Sequence, residues 1–161
     1  MKMPSGETPE QLALHQVHAV CLEHVEALQD ALKDMAQRAL TPAEYEHLTA
    51  TDRRLLDQFA YRYTRLQDDM GARLMPTILK AMGEDVAVMS ALDRFARLEQ
   101  LGWLSNAEAW NTLRQIRNQF AHDYPDNPAQ RFERLQVAIE AAGQLLTLMS
   151  HISHKLSQRF P

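Results

Sequence analysis

The sequence predicts an all-α fold, an up-and-down bundle of four to five helices. Apolar residues recur at intervals of three and four over most of the chain, capping sequences precede several of these stretches, and no strand pattern appears. The 5 Gly and 7 Pro among 161 residues are too few for a turn-rich sandwich or barrel. We therefore expect a single domain over residues 1–161, with residues 1–8 flexible.

The first predicted helix opens at Thr8. Thr8 can cap it, Pro9 suits its first position, and Gln11 can close a capping box. Its apolar residues share one stripe at helical spacing, which is typical of an amphipathic helix packed on a core. These residues are Leu14, Val17, Cys21, Val25, Leu28, Leu32 and Met35.

The second predicted helix starts near Asp52, after a break at residues 40–51 that contains a short capped turn. Pro76 should kink or end it, because proline lacks a backbone donor and clashes with the preceding turn. Residues 77–82 would then continue beyond the kink as far as Gly83. The stripe of this helix comprises Leu55, Phe59, Tyr63, Leu66, Met70 and Leu74.

Three further helices complete the predicted bundle. The third covers residues 86–101 and ends at Gly102, and the fourth opens with a capping box from Ser105 to Glu108. The fifth runs to about Gln158. The residues expected to face inward from the third helix are Met89, Leu92, Phe95, Ala96 and Leu101, and those from the fourth are Trp110, Leu113, Ile116 and Phe120.

Composition excludes several classes of protein. A net charge of −4 argues against a protein that coats nucleic acid through a large basic face, although a small local site stays possible. No apolar run approaches the roughly 20 residues of a membrane-spanning helix, and no signal peptide is predicted. The single cysteine, Cys21, fits a reducing compartment. We expect a cytoplasmic protein that does not enter the membrane.

The end of the fourth predicted helix carries the residues best suited to chemistry. Arg117, His122 and Tyr124 follow one another closely there. Arg117 stands beside the apolar stripe, between Leu113 and Phe120, where a guanidinium is costly to bury alone. It therefore either pairs with a carboxylate inside the bundle or faces a cleft or a partner chain.

An arginine and a histidine at this place suit the cleavage of RNA. Histidine transfers protons near neutral pH, arginine stabilises charge on a phosphate, and the ribose 2′-hydroxyl can be the nucleophile without a metal. Helical geometry separates Arg117 from His122 by roughly 140°, and a symmetric dimer that pairs two such helix ends could gather two Arg–His sets in one cleft. Cations are also common at helix C-termini, where they complement the helix dipole, and residue types and spacing alone favour that structural interpretation.

The motif Arg117-Asn118-x-x-x-His122-x-Tyr124 resembles the signature of the HEPN superfamily, and its extended form resembles the HepT branch. That branch is the toxin partner of MNT-type nucleotidyltransferase antitoxins. Residues 113–125 read like the motif segment of the branch, and residues 58–71 resemble its second long helix. The resemblance spans about residues 50–150, and the predicted order of helices is that of the family.

The resemblance implies a metal-independent endoribonuclease that forms homodimers, with the motif at the dimer cleft. Arg117 and His122 would be the catalytic pair, and Asn118 would help to position them. The antitoxin would transfer AMP from ATP to Tyr124 and so block RNA. Two alternatives stay open: a non-catalytic docking or substrate-binding partner of a nucleotidyltransferase, and a purely structural helical dimer.

Other polar groups have less specific patterns. The pairs His15 with His18 and His151 with His154 have i, i+3 spacing, but neither has a third ligand in sequence, so we expect no metal or cofactor. A basic stretch on the second helix could contact RNA, or could pair with Asp57, Asp68 and Asp69 on a solvated face, which we favour. Its residues are Arg53, Arg54, Arg62, Arg65 and Arg73. Tyr63, Trp103 and Trp110 are expected to be packing residues.

Overall fold

A computed structural model of the chain describes residues 6–122 and 127–161, with His122 described through its backbone only. The sequence predictions that concern Tyr124, the side chain of His122 and the N-terminal residues 1–5 lie outside the described residues.

The described residues form an all-helical bundle without strands, which confirms the predicted fold class. Two short 3₁₀ turns, Glu44–Glu46 and Val86–Val88, lie in its connections. The five-residue π-helical segment Met70–Leu74 joins α2 to α3, so these elements form one continuous helical rod. The α-helices are α1 (Pro9–Gln37), α2 (Ala50–Asp69), α3 (Met75–Ala81), α4 (Ala91–Gln100), α5 (Ala107–His122) and α6 (Pro128–Arg159).

The starts of α1 and α2 are set by capping boxes. The predicted box of Thr8 and Gln11 is confirmed. Helix α2 begins slightly before the predicted residue, because the Thr49 hydroxyl accepts from the Asp52 amide at 3.0 Å and the Asp52 carboxylate accepts from the Thr49 amide at 3.2 Å. Asp52 is therefore inside the first turn of α2, where a carboxylate also complements the helix dipole.

The predicted start of the third helix and two of its inward residues, Leu92 and Ala96, were wrong, whereas its end before Gly102 and the burial of Phe95 are confirmed. Ser90 and Asp93 form a capping box that starts α4 at Ala91, so residues 86–88 are a separate 3₁₀ turn. This start leaves Leu92 62% exposed and Ala96 exposed, and Leu98 takes the buried position in their stead. Phe95 and Leu98 are three residues apart and share one face of α4, and this is the face that packs on the core.

The cap of α5 also differs from the prediction. The Asn106 side-chain oxygen accepts from the Ala109 amide at 3.0 Å, so Asn106, not Ser105, is the capping residue. The Ala107 amide donates to a carboxylate oxygen of Glu99 at 2.9 Å, which ties the start of α5 to the end of α4. The expected capping box of Ser105 and Glu108 was therefore wrong.

Pro76 is accommodated by the π-helical segment that precedes it. The Met75 amide donates to the Met70 carbonyl, an i to i+5 bond. This wider turn gives room for the proline ring, which in a regular α-helix would clash with the carbonyl four residues earlier. The predicted continuation ends as expected, because Gly83 follows with a φ of 85°, which is suited to glycine.

The core confirms most of the predicted packing residues. Tyr63, Trp103 and Trp110 are buried, as is Cys21, whose pKa burial raises to about 12. A thiol with that pKa is protonated at neutral pH and is not a nucleophile. Among the described helices, none is both long and apolar enough to cross a membrane.

Candidate functional site

Helix α5 is fixed at both ends by aromatic packing. Near its start, the ring of Trp110 lies edge-on to Phe95 of α4 at 6.1 Å between centroids. Near its end, Phe120 packs edge-on against Phe59 and Tyr63 of α2 at 6.0 and 5.6 Å. The residues between these two contacts are held in a constant orientation toward α2 and α4.

A cleft of about 500 Å³ lies where α2, α4 and α5 meet, and we call it the α2–α5 cleft. The predicted site residues Arg117 and Asn118 both line it. Small residues on the π-helical segment and α4 leave its space open. The lining residues are Gln67, Asp68, Gly71, Ala72, Ala91, Arg94, Phe95, Arg114, Arg117 and Asn118.

Arg117 both pairs with a carboxylate and faces a cleft, two arrangements between which the sequence did not decide. One guanidinium nitrogen, Nη2, donates to the Asp68 carboxylate of α2 at 2.6 Å, and the same side chain lines the cleft. The arginine side chain is 17% exposed and the aspartate side chain 46% exposed. Asp68 thus fixes the guanidinium at the cleft wall while remaining largely in solvent. Asp68 pairs across the helix interface, rather than with an arginine of its own helix as expected.

Two more arginines face the cleft. Arg114 of α5 lies over the ring of Phe95, 5.0 Å from its centroid, and donates to the Asn111 side-chain oxygen at 3.2 Å. Arg94 of α4 donates to the Val86 carbonyl at 3.5 Å. Within the described residues, three guanidinium groups line this cleft against the single carboxylate of Asp68. The cleft is a cationic site on a chain of net charge −4.

Polar groups without partners lie in the wall behind Arg117. Gln67 is 2% exposed, and neither atom of its side-chain amide has a hydrogen-bond partner among the described residues. The hydroxyl of Tyr63 and the Nε of Arg117 also have none. Burial raises the pKa of Tyr63 to about 12, and the nearby Arg117 charge opposes that rise. These groups are buried donors and acceptors that the described residues leave unsatisfied.

The structure brings together two of the predicted site residues. Arg117 and Asn118 share the α2–α5 cleft, and His122 is the last residue of α5. Because the His122 side chain and Tyr124 lie outside the described residues, their approach to Arg117 stays a prediction.

A buried polar network on α1 and α2 was missed by the sequence interpretation. His24 Nδ1 lies 3.0 Å from Nη1 of Arg62, and its Nε2 lies 3.1 Å from the Asp69 carboxylate. Arginine can only donate, so Nδ1 accepts and the ring proton sits on Nε2, facing Asp69. The sequence signal for burial was the position of His24 on the apolar stripe, three residues after Cys21 and four before Leu28.

Three of the four histidines considered for a metal contact other groups of the chain through their rings. His15 Nε2 lies 3.1 Å from the Phe160 carbonyl, His18 Nε2 lies 2.8 Å from the Ser153 hydroxyl, and His151 Nε2 lies 3.1 Å from the Gly102 carbonyl. In the part of the chain that the structure describes, no three His, Cys, Asp or Glu side chains are grouped to hold a metal ion.

The basic stretch of α2 is divided among different partners. Arg73 lies 4.0 Å from Asp69, as the solvated-face interpretation expected. Arg62 instead contacts His24, and Arg53 donates to the Leu48 carbonyl at 3.3 Å. The stretch is therefore not one continuous phosphate-binding surface.

Comparison with models of known protein families, with curated proteins and with solved structures gives no match.

Proposed function

We propose that this chain is a HEPN-type toxin, a metal-independent endoribonuclease that works as a homodimer and is neutralised by AMP transfer to Tyr124. One observation carries the proposal. Arg117 and Asn118, the first two residues of the motif, line a cleft with an excess of guanidinium groups on a protein that is acidic as a whole. Such a local charge favours an anionic ligand such as a phosphate chain over a neutral or cationic one.

The proposed reaction is attack by the ribose 2′-oxygen on the adjacent phosphorus. The new P–O2′ bond forms as the P–O5′ bond breaks, which leaves a 2′,3′-cyclic phosphate on one fragment and a 5′-hydroxyl on the other. Neutral His122 takes the proton of the 2′-hydroxyl, and the His122 imidazolium of the second copy protonates the leaving 5′-oxygen. Arg117 stabilises the charge that develops on the phosphate oxygens.

The pairing of Arg117 with Asp68 supports a preorganised role for the guanidinium. Nη2 donates to the carboxylate, and this bond holds the guanidinium at the cleft wall. A charged side chain held in one place needs little reorganisation when a phosphate arrives. Asn118 follows directly on α5 and is exposed at the same cleft, where its amide can hydrogen-bond the strand.

In this proposal, dimerisation brings Arg117 and His122 together, which one copy does not do. Helical geometry places Arg117 and His122 roughly 140° apart on α5. A two-fold axis near the end of α5 would set the arginine of each copy beside the histidine of the other.

Adenylylation of Tyr124 provides the proposed control. The phenol oxygen attacks the α-phosphorus of ATP in a partner nucleotidyltransferase, the bond to the β-phosphate breaks, and pyrophosphate leaves as the phenol loses its proton. The added phosphate and adenine would repel the RNA phosphates and fill the groove. Chains co-expressed with such an enzyme should gain the mass of one adenylyl group, whereas Tyr124→Phe should not.

The test of catalysis is RNA cleavage by purified protein. His122→Ala should abolish cleavage and growth inhibition without dissociating the dimer, because only the proton-transfer group is lost. Arg54→Ala, which removes an exposed charge outside the cleft, serves as the control and should cleave like the wild type. Cleavage by His122→Ala at the wild-type rate would refute the catalytic assignment.

The short Arg117–Asp68 ion pair also favours one alternative, a non-catalytic docking partner of a nucleotidyltransferase in which Arg117 is structural. That alternative retains adenylylation of Tyr124 but predicts no RNA cleavage by the wild type. The same two measurements therefore separate it from the nuclease.

A further inference from the structure

Arg94 and Arg114 are charges of the α2–α5 cleft that the proposed reaction does not use. They come from different helices, α4 and α5, and line the cleft beside Arg117. Neither lies within ion-pair distance of a carboxylate in the described ranges 6–122 and 127–161. Asp68, the carboxylate of the cleft, is paired with Arg117. Two guanidinium groups that line one cleft without their own carboxylate partners repel each other, and an anion between them would relieve that repulsion.

Two contacts restrain the Arg114 guanidinium. Its central carbon lies over the Phe95 ring, 5.0 Å from the ring centroid, and Nη1 donates to Asn111 of the preceding helical turn. Phe95 is itself buried against Trp110, so the platform beneath the guanidinium is fixed. A guanidinium held over an aromatic ring retains N–H donors on its edge. Two of these donors can form parallel hydrogen bonds to one phosphate.

Arg94 is less well satisfied by the protein. Its hydrogen bond to the Val86 carbonyl, at 3.5 Å, is long, and its Nε is buried without a partner. The protein therefore compensates the Arg94 charge poorly, and an anion in the cleft that reached the terminal nitrogens of its guanidinium would compensate it better.

We infer that Arg94 and Arg114 form a second phosphate-binding site, which holds the phosphate next to the scissile one in single-stranded RNA. Arg114 and Arg117 are three residues apart on α5, so their side chains are neighbours on one helix face. A strand that places one phosphate at Arg117 can then place an adjacent one between Arg114 and Arg94. The inference rests on the proposed function for the nature of the strand.

The test measures binding without cleavage. A fluorescent 2′-O-methyl oligoribonucleotide cannot be cut, because its 2′-oxygen is blocked, and its affinity is measured by anisotropy at several salt concentrations. Arg94→Ala and Arg114→Ala should each weaken binding roughly tenfold at low salt, since each removes a charged hydrogen bond. Each should also reduce the slope of log K against log salt by about 0.7, the value for one lost contact to a single strand.

Two controls distinguish charge from packing. Arg54→Ala removes the same charge outside the cleft and should leave affinity and slope unchanged. Arg114→Lys keeps the charge but lacks the planar guanidinium over Phe95. It should retain the wild-type slope of log K against log salt. If Arg114→Lys lost the same part of the slope as Arg114→Ala, or if both alanine variants bound like Arg54→Ala, the inference would be wrong.

The result of this binding test can be distinguished from the result of the RNA cleavage test of the proposed function. A wild-type chain that binds the oligonucleotide through Arg94 and Arg114 but cuts no RNA would end the nuclease proposal and support the binding site. If the wild type cuts RNA while Arg94→Ala and Arg114→Ala bind the oligonucleotide normally, the nuclease proposal is supported and the second phosphate site is wrong. A chain that does not bind the oligonucleotide at all would overturn the second site.

Discussion

His24 shows how a single residue can stabilise the contact between two helices. Its ring accepts from Arg62 on one side and donates to Asp69 on the other, and both partners belong to α2. His24 and Asp69 are each 6% exposed. In this setting the imidazole satisfies a buried carboxylate that water cannot reach.

We predict that His24→Ala lowers the free energy of unfolding by about 3 kcal/mol, because the Asp69 charge is then left buried with only the distant Arg73. Chemical denaturation measures the change. His47→Ala, at an exposed histidine, is the matched control and should stay within about 0.5 kcal/mol of wild type. Equal stability of the two variants would contradict the role given to this network.

Asp68 illustrates a limit of sequence reasoning at this scale. Its neighbours along α2 include several arginines, so pairing within the helix was the natural expectation. The carboxylate instead binds Arg117, which is distant in the sequence. Only the packing of α5 on α2 brings these two side chains together, and nothing in the local sequence encodes that distance.

At the scale of the elements, the helices were predictable where local signals decide them. Capping residues and prolines act over three or four positions, so the start of α1 and the end of α3 were found from the sequence. The buried face of α4 was not predicted correctly. The sequence alone did not show that this helix begins after Ser90, behind a separate 3₁₀ turn.

The π-helical segment gives a second case in which tertiary packing adds to a local signal. Pro76 predicted a disturbance, and the disturbance is a wider turn that places Gly71 against Trp110. A Cβ at Gly71 would lie 3.1 Å from the Trp110 ring, and that ring is buried. The close approach of α5 to this turn is one boundary of the α2–α5 cleft.

Two glycine substitutions test this packing. We predict that Gly71→Ala destabilises the chain by about 1–2 kcal/mol, since the new methyl group overpacks a ring that cannot move freely. Gly143→Ala, on α6 with no atom within 4 Å of its Cβ position, should stabilise by about 0.5–1 kcal/mol through helix propensity alone. Denaturant midpoints compare the two, and stabilisation of both would show that α5 does not lie against the turn.

At the scale of the whole molecule, charge is distributed unevenly. The chain is acidic, yet the cleft beside the motif carries three guanidinium groups and one carboxylate. Composition predicted that any nucleic-acid site would be small and local, and the cleft has that size. The arginines that complete it, Arg94 and Arg114, were not singled out from the sequence because they are ordinary in their local patterns.

The central claim is that Arg117, presented at this cleft, takes part in cutting RNA without a metal. Cleavage of RNA by the purified chain in the presence of a chelator tests it most directly, with analysis of the new RNA ends. The wild type should cut and leave 2′,3′-cyclic phosphates, and Arg117→Ala should be slower by about 100-fold or more with its oligomeric state unchanged. Cleavage by Arg117→Ala at the wild-type rate, or loss of wild-type activity on adding the chelator, would contradict the claim.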